Sequence, residues 1–374
     1  MRAPATRKIM AALQDKSAEP QALFVGGCVR NTLLGKPVDD IDIATIHTPD
    51  ETTRRLQAAG LKAIPTGIDY GTVTGVADGK NFEITTLRKD VETDGRRAVV
   101  AYTTDWAEDA KRRDFTMNTL LMDEAGNVFD PTGQGVADLK AGKVIFVGSP
   151  AERIAEDYLR ILRFFRFYGT YGKDEPDAAA LSACKAAAAK IETLSRERIT
   201  QEFFKILMLG HGGSILKIMF GNNILKNFSN HFNQEKFSSL CKTQEKYDLP
   251  SLAPRLFLLA GEDKKNLKNF DNFLLFSKSL SKEINLISDV VSSGIPATEQ
   301  DVKVLVYKYG REATLQALLL WDHTEHLPLA RDWQIPVLPV TGEDLIAKGM
   351  KPGPELGAEL TRLENEWIAR GFKD

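Results

Sequence analysis

Cysteine is scarce in this chain. Cys28, Cys184 and Cys241 are the three among 374 residues, far apart and without a CxxC pair, which points to a reducing compartment and excludes a thiolate zinc site. Histidine is scarce too, with five residues. His323 and His326 stand three apart without a neighbouring cysteine or third histidine, so no histidine cluster for a metal is expected. No run of about eighteen apolar residues occurs, so no membrane span or membrane partner is expected. The basic opening, MRAPATRKIMAALQDKSAEPQ, lacks the apolar core and cleavage site of a secretory signal, and a cytoplasmic location is the expectation. Neither GxGxxG nor GxxxxGK[ST] is present, so neither a dinucleotide fold nor a P-loop is indicated. Charge excess is also missing: 49 basic against 51 acidic residues give a net charge of -2. That argues against broad nucleic-acid affinity, yet permits a local basic groove.

What is present is ordinary globular material, 43% hydrophobic and 27% charged, in two textures. Up to about residue 148 the pattern is α/β. ALFVG (22–26) reads as a short buried strand, and GCVRNTLLG as a helix with Val29, Leu33 and Leu34 on one side. Residues 38–44 read as a strand carrying Asp40 and Asp42 on one face. Thr48 and Pro49 open a helix that runs to Leu61, and Asp78-Gly79 marks a hairpin. A further hairpin is expected within 119–147, and the polar stretch 89–110 reads as a mobile segment. From SPAERIAEDYLRILRFFRFYG onward the pattern is helical, through 177–192, 195–209, a Lys-, Asn- and Phe-rich stretch at 213–290, and two final helices around a Gly-Pro turn.

Four pieces carry chemistry. In GKPVDDIDIATIH, Asp40 and Asp42 on one strand face can share one or two divalent cations, which suits Mg²⁺; Glu83 in NFEITTLR adds a third acid if its strand lies alongside. The alternative is a polar turn of surface acids. In FVGGCVRNTLLG, Gly26 and Gly27 let a backbone approach phosphate and Arg30 adds bidentate reach; the alternative is a tight turn required by packing. In EDAKRRDFTMNTLL, Arg112, Arg113 and Asp114 precede an apolar run, and Asn118 shares a helical face with Asp114, a set able to grip a triphosphate or a sugar hydroxyl. In ERIAEDYLRILRFFRFYG, Arg153, Glu156 or Asp157, Arg160 and Arg163 recur at three or four spacing on one helix, where an Asp beside an Arg can read a base edge. Salt-bridged, solvated helices are the alternative for both.

Together and in this order, these pieces resemble the bacterial class II branch of the nucleotidyltransferase superfamily, which holds the CCA-adding tRNA nucleotidyltransferases and the bacterial poly(A) polymerases. The match is best over residues 22–205. GGCVRNTLLG resembles the glycine-pair and arginine element, with Asn31 where Asp is usual. DDIDIAT resembles the metal motif, EITTLR the following strand ending in Arg88, and DWAEDAKRRDFTMNTL the link to the ribose and triphosphate site, with Thr119 in place of Ala. EDYLRILRFFRF resembles the EDxxR element, and LSRERITQEF the next one, in which Glu197 and Arg198 support the neck.

The resemblance implies an α+β fold: a polymerase beta-like head with a mixed sheet (1–148), then a helical neck that selects the base (149–212), a helical body that binds RNA (213–330) and a helical tail (331–374). It implies addition of C, C and A from CTP and ATP to the tRNA 3′ end, with release of pyrophosphate. Asp40 and Asp42 would hold two Mg²⁺ ions, and Glu83 would be a third acid or organise Arg88. Gly26, Gly27 and Arg30 would meet the triphosphate, and Arg113, Asp114 and Asn118 would place triphosphate and ribose. Asp157 and Arg160, with Arg163 on the same stripe, would select the base. The partner implied is the tRNA acceptor arm rather than DNA. The family also leaves open a poly(A) polymerase or the CC-adding enzyme of a divided system; the full-length stretch at 89–109 leans toward an enzyme able to add C.

Overall fold

The computed structural model describes residues 1–15, 19–94, 97–226, 228 and 231–373. They divide into two units, Met1–Ile206 with Met219–Leu225, and Leu207–Ile218 with Lys226–Asp374.

The first unit opens with α1 (Pro4–Leu13), β1 (Ala22–Val25), α2 (Gly27–Leu33), β2 (Asp42–Thr45), α3 (Pro49–Ala58), β3 (Lys62–Gly67), β4 (Thr72–Ala77) and β5 (Lys80–Thr86). The hairpin β6 (Arg88–Asp94) and β7 (Arg97–Tyr102) follows, then α4 (Trp106–Lys111), β8 (Leu121–Met122), β9 (Val128–Phe129) and α5 (Gly135–Ala141). One mixed sheet runs in the order β3-β4-β5-β2-β1-β8-β9, and β6 and β7 form a separate two-stranded sheet. The ladder between β2 and β5 is parallel.

Several local features follow from their residues. Thr48 accepts from the Glu51 N–H and Pro49 begins α3, where its missing donor costs nothing. Asp78 and Gly79 have φ of 50° and 74°, the left-handed pair that a two-residue hairpin needs. Gly75 of β4 lies under α1 and α3: a Cβ there would stand 3.0 Å from the tips of Ile9 and Ile84 and 3.4 Å from that of Leu56, so the glycine lets these side chains close over the sheet.

Some expectations are corrected. Asp40 is not on a strand, because β2 begins at Asp42. Its antiparallel partner β1 ends at Val25 before the Gly26 turn, which leaves Asp40 unpaired on that side. Of the side expected for α2, Val29 is buried, but Leu33 is exposed at the helix end, and Cys28 and Arg30 are buried with Val29. α3 stops at Ala58, and residues 62–67 form a strand. Within 119–147 the hairpin is only β8 and β9, because Val136 and Leu139 have helical spacing in α5. The stretch 89–110 holds β6, β7 and most of α4; the expectation of mobility falls partly on residues 95 and 96, outside the described residues.

The helical part begins with α6 (Pro150–Glu156), α7 (Leu159–Tyr171), α8 (Ala178–Ala187), α9 (Arg196–Leu207) and α10 (Gly212–Gly221). Phe164 and Phe167 of α7 pack on Phe115 and Phe146, with Phe115 4.8 Å from Phe146 and 5.1 Å from Phe167 between ring centres. The expected single helix across EDYLRILRF is broken: Asp157 is extended, with φ -155° and ψ 104°.

The second unit continues with α11 (Gln234–Lys246), α12 (Leu252–Leu259), α13 (Lys278–Ser293), α14 (Glu299–Tyr309), α15 (Arg311–Leu320), α16 (Leu327–Asp332), α17 (Gly342–Ala347) and α18 (Pro354–Ala369). Phe237, Leu256, Phe257, Ile287, Val306 and Leu318 fill its core. Arg255 is buried among them without an acid partner among the described residues. Its Nε donates to Gln244 Oε1 at 2.7 Å, and its Nη1 donates to the carbonyls of Leu207 and Leu209 at 2.5 and 3.1 Å. No helix among the described residues is long and apolar enough to cross a membrane.

Candidate active site

The β2–β5 ladder sets Asp42 opposite Glu83. Partners in register across a ladder project from the same face, so these carboxylates stand side by side. Burial, then the charges of Glu83 and Asp40, push the Asp42 carboxyl above the usual range, while Arg113 and Arg30 pull against them. Asp40, although off the strand, therefore joins the same cluster through its field. Three carboxylates crowded at the start of β2 are a donor set suited to a hard divalent cation, which would relieve their repulsion.

The glycine pair borders this cluster. Gly26 has φ 70° and ψ -120°, a conformation closed to other residues. A Cβ at Gly26 would stand 3.8 Å from Arg113 Nη1, and one at Gly27 3.7 Å from Arg30 Nη2. The glycine turn thus lies against two guanidinium groups.

Arg30 is buried, and among the described residues it has no acid partner and its Nε has no hydrogen-bond acceptor. Its Nη1 donates to Asn118 Oδ1 and its Nη2 to the Tyr171 hydroxyl at 2.8 Å. The Tyr171 ring lies 4.4 Å and the Phe167 ring 5.0 Å from the guanidinium carbon. Burial lowers its pKa. A desolvated guanidinium held by neutral groups retains unmatched positive charge, which an anionic ligand would neutralise.

Asp114 and Asn118 do meet, as their spacing suggests, but not on a shared helix. Asn118 ends a 3₁₀ turn at Thr116–Asn118 and donates to Asp114 Oδ1 at 2.9 Å. Arg163 of α7 reaches the other oxygen at 2.5 and 2.7 Å. Burial opposes the Asp114 charge, yet Arg163 and the donors from Asn118 and Phe115 hold its carboxyl below the usual range. Tyr171, Arg30, Asn118, Asp114 and Arg163 thus form one unbroken hydrogen-bonded chain.

Asp109 is a second hub. It pairs with Arg112 at 2.7 Å and Arg113 at 2.9 Å, and accepts from the Arg88 N–H at 3.1 Å. Burial works against its ionisation, but Arg113 and Arg112 outweigh it and its carboxyl is held low. The Arg88 side chain turns to the Tyr70 carbonyl at 2.6 Å.

Asp157 sits at the break between α6 and α7, and its Oδ2 accepts from Arg198 at 2.7 Å. Arg160 donates to Glu156 at 2.5 Å, to the Arg153 carbonyl at 2.8 Å and to the Arg112 carbonyl at 3.1 Å. Arg153 donates to the Lys111 carbonyl at 2.9 Å. The EDxxR segment is therefore fastened to the backbone that presents Arg112 and Arg113.

The acids, both glycines, Arg30, Arg113, Asp114, Asn118 and Arg163 are joined in one neighbourhood. Asp157 and Arg160 connect to it through Arg112, and Arg88 through Asp109. Sequence reasoning missed Asp109 and Tyr171. Asp109 stands three and four residues before Arg112 and Arg113, a helical ion-pair spacing that signals it. Nothing local signals Tyr171, which lies 141 residues from Arg30.

Residues 22–145 match the family described as the poly A polymerase head domain, and residues 175–234 the one described as a probable RNA and SrmB-binding site of polymerase A. A Mus musculus protein, CCA tRNA nucleotidyltransferase 1, mitochondrial, is 36% identical over 368 residues, covering 94% of this chain and 83% of its own length. A Streptococcus pyogenes CCA-adding enzyme is 34% identical over 370 residues, covering 93% of this chain and 89% of its own. The crystal structure of a Bacillus stearothermophilus CCA-adding enzyme in complex with CTP superposes with a TM-score of 0.77 at 25% identity, covering 98% of this chain and 93% of the other.

Proposed function

The chain belongs to the family of CCA-adding tRNA nucleotidyltransferases, and on that basis we propose that it adds C, C and A from CTP and ATP to the 3′ end of tRNA, releasing pyrophosphate. The observation that carries the reading to these residues is the placing of the Asp40, Asp42 and Glu83 cluster beside the buried Arg30, which hydrogen-bonds to Asn118 and Tyr171, at one glycine turn.

Asp40 and Asp42 would hold two Mg²⁺ ions, and Glu83 stands beside them as the third acid. When bound, such ions make the attacking 3′-hydroxyl more acidic and offset charge on the leaving phosphates. Arg30 and Arg113 receive the triphosphate at the Gly26-Gly27 turn. Asp114 and Asn118 place the triphosphate and ribose, and Arg163 keeps Asp114 ionised. Asp157 and Arg160 hydrogen-bond to the base edge and so select C or A without a nucleic-acid template. Arg88 braces the acids' side of the site through Asp109. No histidine base or covalent enzyme intermediate is required. Residues 1–148 act as the head, 149–212 as the neck, and 213–330 and 331–374 as the body and tail that bind the acceptor arm through its phosphates, 2′-hydroxyls and shape. Such binding weakens as salt rises.

The test is single-nucleotide extension with Mg²⁺ on tRNA ending before the CCA, after the first C, and after CC. Two C additions followed by one A establish the reading. Incorporation of C alone assigns the CC-adding role, and long A tails on unrelated RNA assign a poly(A) polymerase.

A further inference from the structure

The turn between α15 and α16 gathers His323, Glu325 and His326, whose ligand atoms all lie within 4.8 Å of one another. Histidine spacing alone excluded a cluster here; the fold supplies the third donor. His323 Nδ1 lies 3.1 Å from Glu325 Oε1, and His326 Nε2 lies 3.8 Å from the same oxygen. The two imidazole planes are nearly parallel, at 4°, with ring centres 6.3 Å apart. Ligand bonds of about 2.0–2.1 Å in tetrahedral geometry set neighbouring donors roughly 3.3 Å apart. The two histidine–glutamate separations lie on either side of that value, and side-chain rotation turns the near-parallel imidazoles onto one ion.

The backbone under these donors is pinned. Asp322 takes a left-handed φ of 59° at the end of α15. The His323 N–H returns to the Leu318 carbonyl at 2.9 Å, and the His326 N–H to the His323 carbonyl at 3.3 Å. Leu327 is buried directly after His326, and Pro328 fixes the first turn of α16. The His326 side chain is 19% exposed, that of His323 33% and that of Glu325 62%, which leaves one side open to solvent for a fourth ligand.

We propose that His323, Glu325 and His326 bind one divalent transition-metal ion of the zinc class, at a site separate from the carboxylate cluster that suits Mg²⁺. Two imidazoles favour zinc, copper or nickel over magnesium, which demands oxygen donors. The bound ion clasps the end of α15 to the start of α16 and stabilises the second unit by mass action.

The experiment is titration of the full chain with Co²⁺ in saturating Mg²⁺, followed by visible absorption, with Zn²⁺ as competitor and in thermal melts. Expected are one Co²⁺ per chain with a low-symmetry absorption band, displacement by Zn²⁺ but not by added Mg²⁺, and a higher melting temperature in Zn²⁺. His326→Ala weakens binding by about tenfold or more, given that even outer partners of a metal site are worth about 10- to 100-fold. Glu325→Gln, at the most exposed of the three positions, repeats the loss with no packing change. Both variants keep Mg²⁺-dependent nucleotide incorporation, which shows that they fold. The proposal is overturned by absence of the band, by a band unchanged in both variants, or by a band lost instead in Asp40→Ala/Asp42→Ala.

Discussion

The Tyr171 hydroxyl donates to Asn31 Oδ1 at 3.0 Å while it accepts from Arg30 at 2.8 Å. Asn31 uses its other end too, donating to the Pro37 carbonyl at 2.9 Å. An amide serves both contacts, whereas a carboxylate at this position has no donor for Pro37. Asn31, where the family more often has Asp, therefore ties the Arg30 support to the segment that leads into the acids.

Tyr171→Phe removes the two hydroxyl contacts and leaves the ring stacked on Arg30. One such contact to a charged group is worth about 1.5 kcal/mol, so kcat/KM for CTP and ATP falls by about tenfold. The loss is expected mainly in KM, measured by steady-state incorporation; an unchanged kcat/KM for both nucleotides would place Arg30 away from the nucleotide.

Asp42→Asn has opposite effects on chemistry and stability. Incorporation falls by about 1000-fold or more, since several kcal/mol of metal-assisted stabilisation are lost. The native carboxyl of Asp42 is raised above its unfolded value, so the native state holds the proton more tightly. Stability from this group is then present below the unfolded pKa and is lost as pH rises through the raised native one. At neutral pH the metal-free Asp42→Asn protein melts at a higher temperature than the parent, and Mg²⁺ raises its melting point less. Calorimetry with and without chelator checks both.

Arg163→Ala strands the Asp114 carboxylate in a buried site and costs about 3 kcal/mol of stability at pH 7, seen as a lower denaturant midpoint. The native pKa of Asp114 lies below its unfolded value. Its contribution is complete above the unfolded pKa and disappears as pH falls through the native one. Acid titration should therefore narrow the gap between variant and parent; a gap constant down to low pH would rule out this ion pair as the cause.

Asp157→Ala leaves Arg160 fastened and removes one half of the base-reading pair. Discrimination worth about 1–3 kcal/mol is lost, a roughly 5- to 150-fold rise in UTP or GTP incorporation relative to CTP. Competition assays on tRNA lacking CCA measure the ratio directly, and unchanged selectivity would remove Asp157 from base choice.

Arg255→Ala tests the second unit. It leaves the Leu207 and Leu209 carbonyls and Gln244 without their donor and opens a cavity, at a cost of about 3 kcal/mol. Urea unfolding supplies the measurement; a change below about 1 kcal/mol would mean that water replaces the guanidinium.

Local chemistry was legible in the sequence wherever a single turn or strand carries it. Thr48-Pro49 and Asp78-Gly79 act through neighbours within a few residues. The break at Asp157 was hidden because Ile154, Tyr158, Leu162 and Phe165 keep helical spacing across it, with no proline or glycine to mark it. The β6 strand was hidden because RKDVETD is polar in sequence and pairs with its own hairpin partner rather than with the main sheet. The pairs Arg30–Tyr171 and Asp114–Arg163 join positions 141 and 49 residues apart, beyond the reach of any periodicity.

The carbonyl contacts of Arg153 and Arg160 make a ruler. They fix the start of α7 to Lys111 and Arg112 rather than leaving it to slide along the head. In the proposed reaction, the group that recognises the base and the group that seats the triphosphate belong to one stiff piece. A nucleotide whose base is held at the wrong height then cannot keep its α-phosphate in line with the acids. Choice of base becomes a matter of alignment as well as of affinity, and a weakly bound wrong nucleotide is also a badly placed one.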